Sequence, residues 1–530
     1  MYWTANPVCG RAMLADYTWK AERSTQVNAW ERSAMRTSRP RKSPSSKLPP
    51  SITRRSFVGR AAAAGLFTAV AHVRAAWAQS GASKSLRDLP ALEGHVLLDE
   101  ADRQVVAGDY GGHFSQLPIA VVRPGAVSDV VRMVAYANKH GLRIAMRGGG
   151  HSQYGQSQVA DGIVIDSGSL NGVNWHGDTI DAQPGAQWGE VAKAALARGL
   201  IPPVMVDAMI LTVGGTLSVG GTGETGYRYG AQVDNVLELD IVTGAGELLT
   251  CSWERNRELF EMTLAGLGQC GIIVRARLRL VPAGNFVGPR TLMYDNVENF
   301  LSDQARLTQA EKLGLLNGAA IRTEDGRSRY EIHAASFVSS AVDADLRPDW
   351  LNELRFASER PAPLMPYWNY LDRRRASVTA SLAAVKRGVR NAALVATLPH
   401  HSAKEILTHI LSTPETYIGI WTLEVSAKVP ARYTRPLLRM PNADMAYELR
   451  VQRRSTGAGS PDPEALLGAT NALLPRVLAA GGKIYPPYCP ILSKQQWLEH
   501  YGPDILQRFA TAKKQFDPND VLTPGPGIFS

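Results

Sequence analysis

A run of three glycines and a histidine, Gly148-Gly149-Gly150-His151, constrains this chain more than any other segment. A strand-like stretch (142–146) enters the run, and an alternating apolar stretch (163–166) follows it. Consecutive glycines let the backbone bend tightly and bring bare N–H groups close to a ligand. Successive N–H groups of this kind form an anion-binding nest that suits a pyrophosphate. The pattern predicts a strand–loop–strand unit with His151 beside its ligand; a glycine-rich surface loop with an ordinary histidine is the alternative.

Length and charge set the broad class of the protein. A chain of 530 residues is too long for one core, which predicts two or more domains. Residues 1–78 carry the whole formal net charge of +10, with 13 Lys+Arg against 3 Asp+Glu. The remaining residues, 79–530, have 45 positive and 45 negative side chains. Because the basicity is confined to this segment, no nucleic-acid partner is predicted.

The N-terminal segment has the three parts of an export signal in their usual order. A twin-arginine pattern, Thr53-Arg54-Arg55-Ser56-Phe57-Val58, precedes an apolar run (61–71) that is too short to span a bilayer comfortably. Ala76-Trp77-Ala78 then supplies a small-residue cleavage site. The order predicts a leader over 1–78, export of a folded protein to the periplasm or beyond, and no stable membrane insertion. The alternative is an alanine-rich helix with chance arginines.

Alternating helical and strand periods indicate a mixed fold. Strands are predicted at 119–122, 236–243 and 272–281, and amphipathic helices at 127–140 and 188–198. Outside the leader, three cysteines at 251, 270 and 489 allow at most one intramolecular disulfide, and no metal-ligand spacing is present. Two further glycine patterns, at 221–226 and 266–271, lack the strand before and the helix after that a dinucleotide fingerprint needs, so no NAD site is predicted.

The segment 147–156 resembles the FAD-binding loop of the vanillyl-alcohol-oxidase (PCMH-type) flavoproteins, and is most similar to that of the cytokinin dehydrogenases. The resemblance continues through 207–282 and resumes at 516–529. It implies an α+β protein with the two-domain PCMH-type FAD-binding fold, in which a split flavin domain carries an α+β substrate cap. The expected boundaries are 79–283 for the flavin domain, 284–484 for the cap, and 485–530 for the segment that returns to the flavin domain.

The same resemblance implies the cofactor and the residues around it. FAD would be attached covalently to His151, and a single link is expected because no cysteine lies between Ile201 and Thr212. Asp207 matches the catalytic base of the family, beside the flavin. The remaining cofactor-binding residues implied by the match are Gly148, Gly149, Gly150, Ser152, Gln156, Thr212, Ser218, Thr222, Ile273 and Tyr488.

The sequence around Asp207 suits a base. It is a lone carboxylate between apolar residues, and burial there would raise its pKa and strengthen it as a base; a turn or capping aspartate is the alternative. A flavin takes a hydride at N5 while the protein removes a proton from the donor. The resemblance therefore predicts a secreted oxidoreductase that oxidises the side chain of an N6-isoprenoid adenine and passes electrons to oxygen or a quinone.

Two alternatives stay open: oxidation of another small alcohol, sugar or amine, and a non-catalytic flavin-binding protein. Where the family commonly has an acidic residue that holds the adenine, this chain has Asn317, which weakens the cytokinin assignment but not the flavin assignment.

Overall fold

Twenty strands and fourteen α-helices make up the part of the chain that the computed structural model describes, residues 86–338, 348–456 and 460–529. The predicted leader, with its twin arginines and cleavage site, lies outside the described residues. The mixed α+β class is confirmed. No helix within the described ranges is long and apolar enough to cross a bilayer.

Three small sheets occupy the first half of the described chain. A four-stranded sheet, in the order β1-β2-β4-β3, contains β1 (His95–Leu97), β2 (Ala120–Arg123), β3 (Ile144–Arg147) and β4 (Ile163–Asp166). A five-stranded antiparallel sheet, in the order β5-β6-β10-β8-β9, contains β5 (Val173–His176), β6 (Thr179–Ala182), β8 (Val236–Thr243), β9 (Leu248–Ser252) and β10 (Gly271–Leu278). A two-stranded sheet joins β7 (Leu200–Ile201) to β11 (Val281–Pro282).

Every strand of a larger, nine-stranded sheet lies within the range predicted for the cap. Its members are β12 (Phe286–Tyr294), β13 (Leu315–Arg322), β14 (Ser328–Val338), β15 (Ser358–Pro361), β16 (Met365–Pro366), β17 (Arg390–Pro399), β18 (Ile420–Lys428), β19 (Ala446–Ser455) and β20 (Lys483–Ile484). They pair in the order β15-β12-β14-β13-β18-β19-β17-β20, with β16 also on β12. The domain boundaries themselves stay a prediction.

The helices connect and cover these sheets. In the first half they are α1 (Glu100–Ala107), α2 (Val127–His140), α3 (Trp188–Leu196), α4 (Val213–Leu217), α5 (Gly226–Tyr229) and α6 (Arg257–Thr263). From the cap onwards they are α7 (Val297–Ala310), α8 (Tyr367–Asp372), α9 (Arg375–Lys386), α10 (His400–Ser412), α11 (Pro414–Tyr417), α12 (Pro463–Ala479), α13 (Lys494–Tyr501) and α14 (Pro503–Phe516).

The helix α2 shows how the first sheet presents the glycine loop. One face of α2, with Val130, Met133 and Val134, is fully buried, and Gly141 ends the helix in the left-handed conformation at φ 59°. The chain then enters β3, which pairs in parallel with β4 and leads directly into the glycines.

The chain's C-terminal segment returns to this sheet. The Ile144 N–H donates to the Val521 carbonyl at 2.8 Å, and the Thr523 N–H donates to the Ile144 carbonyl at 2.7 Å. The three cysteines allowed at most one disulfide on sequence grounds; Cys251, Cys270 and Cys489 are all free and buried.

Candidate active site

One cavity of about 530 Å³ receives side chains from both the flavin-domain range and the cap range. All twelve residues that the sequence singles out for catalysis or cofactor binding line this cavity, although their individual roles stay predictions. They are Gly148, Gly149, Gly150, His151, Ser152, Gln156, Asp207, Thr212, Ser218, Thr222, Ile273 and Tyr488.

The carboxylate of Asp109 holds the shape of the glycine loop. Its Oδ1 accepts from the Gly111 N–H at 3.0 Å, and its Oδ2 accepts from the Gly155 N–H at 2.7 Å. The adjacent Tyr110 N–H donates to the Gly150 carbonyl at 3.0 Å. Burial raises the pKa of Asp109 to about 6, against the lowering effect of the backbone N–H groups that donate to its carboxylate and of the charge of Arg147. The buried carboxyl group therefore anchors the loop at Gly155, and the backbone of Tyr110 holds it at Gly150.

At two of the three glycines a side chain would collide with the protein, and at the third it would enter open space. At Gly150, where φ is +67°, an added Cβ would lie 2.1 Å from Nη2 of Arg147. At Gly148 it would lie 2.2 Å from Oγ1 of Thr212. A Cβ at Gly149 would meet no described atom within 3.6 Å, its nearest neighbour being 3.7 Å away. The protein itself thus demands glycine at two positions, and the open third lets a ligand approach the backbone.

His151 presents a neutral imidazole to the cavity. Its ring stacks on Tyr110, with centroids 4.9 Å apart and an interplanar angle of 11°. Burial lowers the pKa of His151 to about 4; the charge of Arg147 acts in the same direction, and the Gly149 backbone opposes it. Neither ring nitrogen makes a hydrogen bond of good geometry to any described residue. At neutral pH a nitrogen lone pair is therefore available for bonding.

The flavin-side loop is hydrogen-bonded to the cap strand β17. The Tyr154 hydroxyl donates to the Ala393 carbonyl at 2.7 Å and accepts from the Ala393 N–H at 3.1 Å. The Asn391 N–H donates to the Gly111 carbonyl at 2.9 Å. Tyr154 is 1% exposed, so both bonds are shielded from water. These contacts fix the loop against the cap.

Asp207 is not the lone carboxylate that the sequence predicts, and the predicted rise of its pKa is wrong. Its Oδ2 lies 3.4 Å from Nη1 of Arg374, which also lies 3.2 Å from Oε1 of Glu424. Burial favours the neutral carboxyl, but the guanidinium charges of Arg374, Arg450 and Arg373 outweigh burial and lower the pKa of Asp207 below its usual value. Asp207 is therefore ionised at neutral pH, and its place beside the cavity recommends it as a base.

A second carboxylate, Glu224, lies beside Asp207 and was not predicted. Burial raises the pKa of Glu224, the charge of Arg373 opposes this, and the charge of Asp207 adds to it. An Arg373 nitrogen lies 2.6 Å from Oε1 of Glu224, and the Tyr370 hydroxyl donates to Oε2 at 3.0 Å. The run of three arginines at 373–375 was visible in the sequence, but nothing in it indicated which acids the arginines would meet.

Some of the side chains predicted to contact the cofactor already form hydrogen bonds within the protein. The Ser218 hydroxyl donates to the Gly214 carbonyl at 2.8 Å, and the Gln156 amide donates to the Pro486 carbonyl at 3.2 Å. The buried Thr212 hydroxyl, in contrast, has no hydrogen-bond partner among the described residues. This free hydroxyl, the open backbone at Gly149 and the unpartnered imidazole nitrogens fit a large polar cofactor such as FAD.

Comparisons with known proteins agree with this interpretation. The FAD binding domain model matches residues 118–252, and the model for the FAD and cytokinin binding part of cytokinin dehydrogenase 1 matches residues 438–529. The oxidoreductase ORF5 of the fasciation locus in Rhodococcoides fascians is 32% identical over 81% of this chain and 97% of its own. Cytokinin dehydrogenase 4 of Oryza sativa subsp. japonica is 32% identical over 83% of this chain and 90% of its own.

A solved structure carries the same fold. The 6-hydroxy-D-nicotine oxidase of Arthrobacter nicotinovorans superposes with a TM-score of 0.64 at 20% identity, over 82% of this chain and 98% of its own. The predicted fold family and the predicted cofactor, FAD, are thereby confirmed. From the flavin loop to the C-terminal segment, this chain belongs to the cytokinin dehydrogenase family of FAD-dependent oxidoreductases.

Proposed function

We propose that this oxidoreductase takes a hydride from a small amine or alcohol donor, with Asp207 as the base and FAD attached through His151. FAD, when bound, supplies the hydride acceptor at N5. One observation carries the proposal: an ionised carboxylate and a neutral imidazole, which are 56 positions apart in sequence (207 − 151), line the same cavity. The donor's proton then goes to Asp207.

The low pKa of Asp207 affects its strength as a base but not its availability. A base must first lie within hydrogen-bond reach of the proton that it removes, and Asp207 lines the cavity with 24% of its side chain exposed. The arginine contact keeps Asp207 ionised, so that no proton has to be lost before the donor binds. Arg374 also balances the charge that the site would otherwise bury.

The donor is the open part of the proposal. Relatives named cytokinin dehydrogenase make an N6-isoprenoid adenine the first donor to test. However, Asn317 does not line the cavity; its Oδ1 accepts hydrogen bonds from Ser426 and from the Gly318 N–H, the latter at 2.8 Å. The side chain at the family's acidic position is therefore occupied within the cap, which favours testing other amines, alcohols and sugars alongside.

Anaerobic mixing of the flavin-loaded protein with each donor tests the proposal. Bleaching of the flavin absorbance by at least one donor is the expected result, and oxygen or a quinone added afterwards identifies the acceptor. If no amine, alcohol, sugar or isoprenoid adenine bleaches a flavin that dithionite reduces, the protein is a flavin-binding protein without this activity.

Replacement of Arg374 by methionine tests how Asp207 is kept ionised. Removing the nearest guanidinium should raise the pKa of Asp207, because burial is then less opposed. A base works only when deprotonated, so the acid limb of the pH profile for flavin reduction should move to higher pH. Arg375→Met, which removes an arginine paired with Asp372 at 2.7 Å, is the matched control and should leave the limb in place. An unmoved limb in Arg374→Met contradicts the pairing.

The second part of the proposal is export of the folded protein by the twin-arginine route, and only the sequence of the predicted leader supports it. Changing Arg54 and Arg55 to lysine should leave a flavin-loaded precursor in the cytoplasm, because the twin-arginine route carries folded proteins. Cell fractionation followed by flavin fluorescence of the protein band measures this. A single change of Arg60 to lysine is the control. Undiminished export of the double variant would remove the twin-arginine interpretation.

A further inference from the structure

The cap contributes a polar wall to the cavity. Because strand residues alternate between the two faces of a sheet, Arg450, Gln452 and Arg454 on β19 point to the same side, and all three line the cavity. On the neighbouring strand β18, Thr422 pairs with Gln452 and Glu424 pairs with Arg450, and both also line it. A wall of this composition suits a donor with charged or hydrogen-bonding groups better than an all-hydrocarbon one.

The charges on this wall do not fully cancel. Arg374 is shared between Asp207 and Glu424, and Arg450 contacts Glu424 through Nε at 3.4 Å. Arg454, in contrast, makes no ion pair with any carboxylate in the described ranges, and among its nitrogens only Nε and Nη2 donate to described residues. One positive charge in the cavity is therefore left uncompensated by the protein.

The unpaired guanidinium is nonetheless held in a fixed position. Its Nε donates to Oδ1 of Asn391 at 2.9 Å and its Nη2 donates to the Ser381 hydroxyl. The guanidinium lies over the ring of Trp421, 4.3 Å from the centroid. Such rigid placement lowers the entropy that a ligand contact would cost.

Trp421 reaches this position through an irregularity in the sheet. The register between β18 and β19 shifts between Ile420 and Thr422, so Trp421 is the extra residue of a bulge. A bulge re-aims a side chain relative to regular alternation. Trp421 as a residue is 50% exposed and lines the cavity, so the part of its surface that Arg454 does not cover is open to a ligand.

We propose that Arg454 and Trp421 form a subsite for a carboxylate or phosphate group carried by a donor with a planar ring. A guanidinium binds such anions through charge-assisted hydrogen bonds, and the free Nη1 supplies the donors. The indole supplies a flat apolar surface for the ring. The inference rests on the proposed oxidation of a small donor and narrows the class of that donor.

Calorimetric titration of the flavin-loaded protein tests the subsite without turnover. Benzoate and benzamide have the same ring and nearly the same shape but differ in charge. At low salt, benzoate should bind at least about tenfold more tightly than benzamide, and added salt should reduce the difference. Phenyl phosphate in a third titration shows which of the two anions the subsite binds more tightly.

Two variants test whether Arg454 causes the preference for benzoate over benzamide. Arg454→Met should bind benzoate and benzamide alike, whereas Arg322→Met should keep the tenfold preference. Arg322 is a matched control because it also stacks on an aromatic ring of the cap, that of Tyr417 at 5.4 Å, and does not line the cavity. If Arg454→Met melts at a lower temperature than the parent, Arg454→Lys takes its place, and it should retain part of the preference because it keeps the charge.

Equal affinities for benzoate and benzamide in the parent protein would overturn the subsite, as would a preference that survives in Arg454→Met. A preference for benzoate in a protein whose flavin no donor bleaches would keep the subsite and reject the proposed oxidation, so the two ideas fail separately.

Discussion

Asp207→Asn should slow flavin reduction by a true donor by about 10²–10⁴-fold, the usual effect of losing a positioned base. The amide has nearly the same shape but does not accept a proton at neutral pH. The contact with Arg374 at 3.4 Å is weakened rather than replaced by a clash, so the fold and the bound flavin should persist. Anaerobic stopped-flow spectroscopy isolates this half-reaction, and reduction by dithionite should be unchanged because it removes no proton from a donor.

Asp240→Asn is the matched control for this result. Asp240 is also a partly buried aspartate whose pKa is lowered, against the effect of burial, by an arginine, with Nε of Arg275 at 2.6 Å. It lies on β8 and does not line the cavity. The donor should reduce the flavin of Asp240→Asn at the parental rate. If Asp207→Asn also does so, the base lies elsewhere, and Glu424 in the cap wall is the next carboxylate to change.

His151→Ala should convert covalently held flavin into flavin that acid releases completely. The parent protein should stay yellow after acid precipitation, because a bond through a ring nitrogen survives unfolding. The expected attachment follows from the neutral, unpartnered imidazole, whose pKa is lowered to about 4 mainly by burial. Absorbance of the supernatant and of the redissolved pellet measures the two fractions.

His113→Ala controls for the loss of a buried imidazole. Burial, with the added charge of Arg390, also lowers the pKa of His113 to about 4, but this residue does not line the cavity. After acid precipitation, the flavin of His113→Ala should stay with the protein pellet. Complete release from the parent protein would show that the cofactor is bound without a covalent link, whatever the variants do.

Local patterns predicted the parts of this fold that local chemistry controls. The helix expected over 127–140 is α2 (Val127–His140), because its apolar period and the glycine after it are both contained in the segment. The strand expected over 236–243 is β8 (Val236–Thr243). The position of Asp207 in the cavity was also predicted, through the family resemblance of its neighbours.

The electrostatics of the site could not be predicted in the same way. Asp207 and Arg374 are 167 positions apart, and their contact depends on how the cap range packs against the segment around Asp207. The sequence around Asp207 shows only apolar neighbours, so it indicates burial and hides the arginines that reverse the effect of burial on the pKa. The bulge at Trp421 could not be predicted from the sequence for a similar reason, because it exists only in the pairing of two strands.

The hydrogen bonds between Tyr154 and Ala393 have a consequence for how enzymes of this architecture can diversify. Because the loop that carries His151 is held by backbone groups of β17, a cap exchanged as a block would have to reproduce that strand's position to keep the loop in place. Single changes on the cavity face of β18 and β19 carry no such requirement. New donor preferences are thus more accessible through point substitutions on that face than through recombination of whole domains.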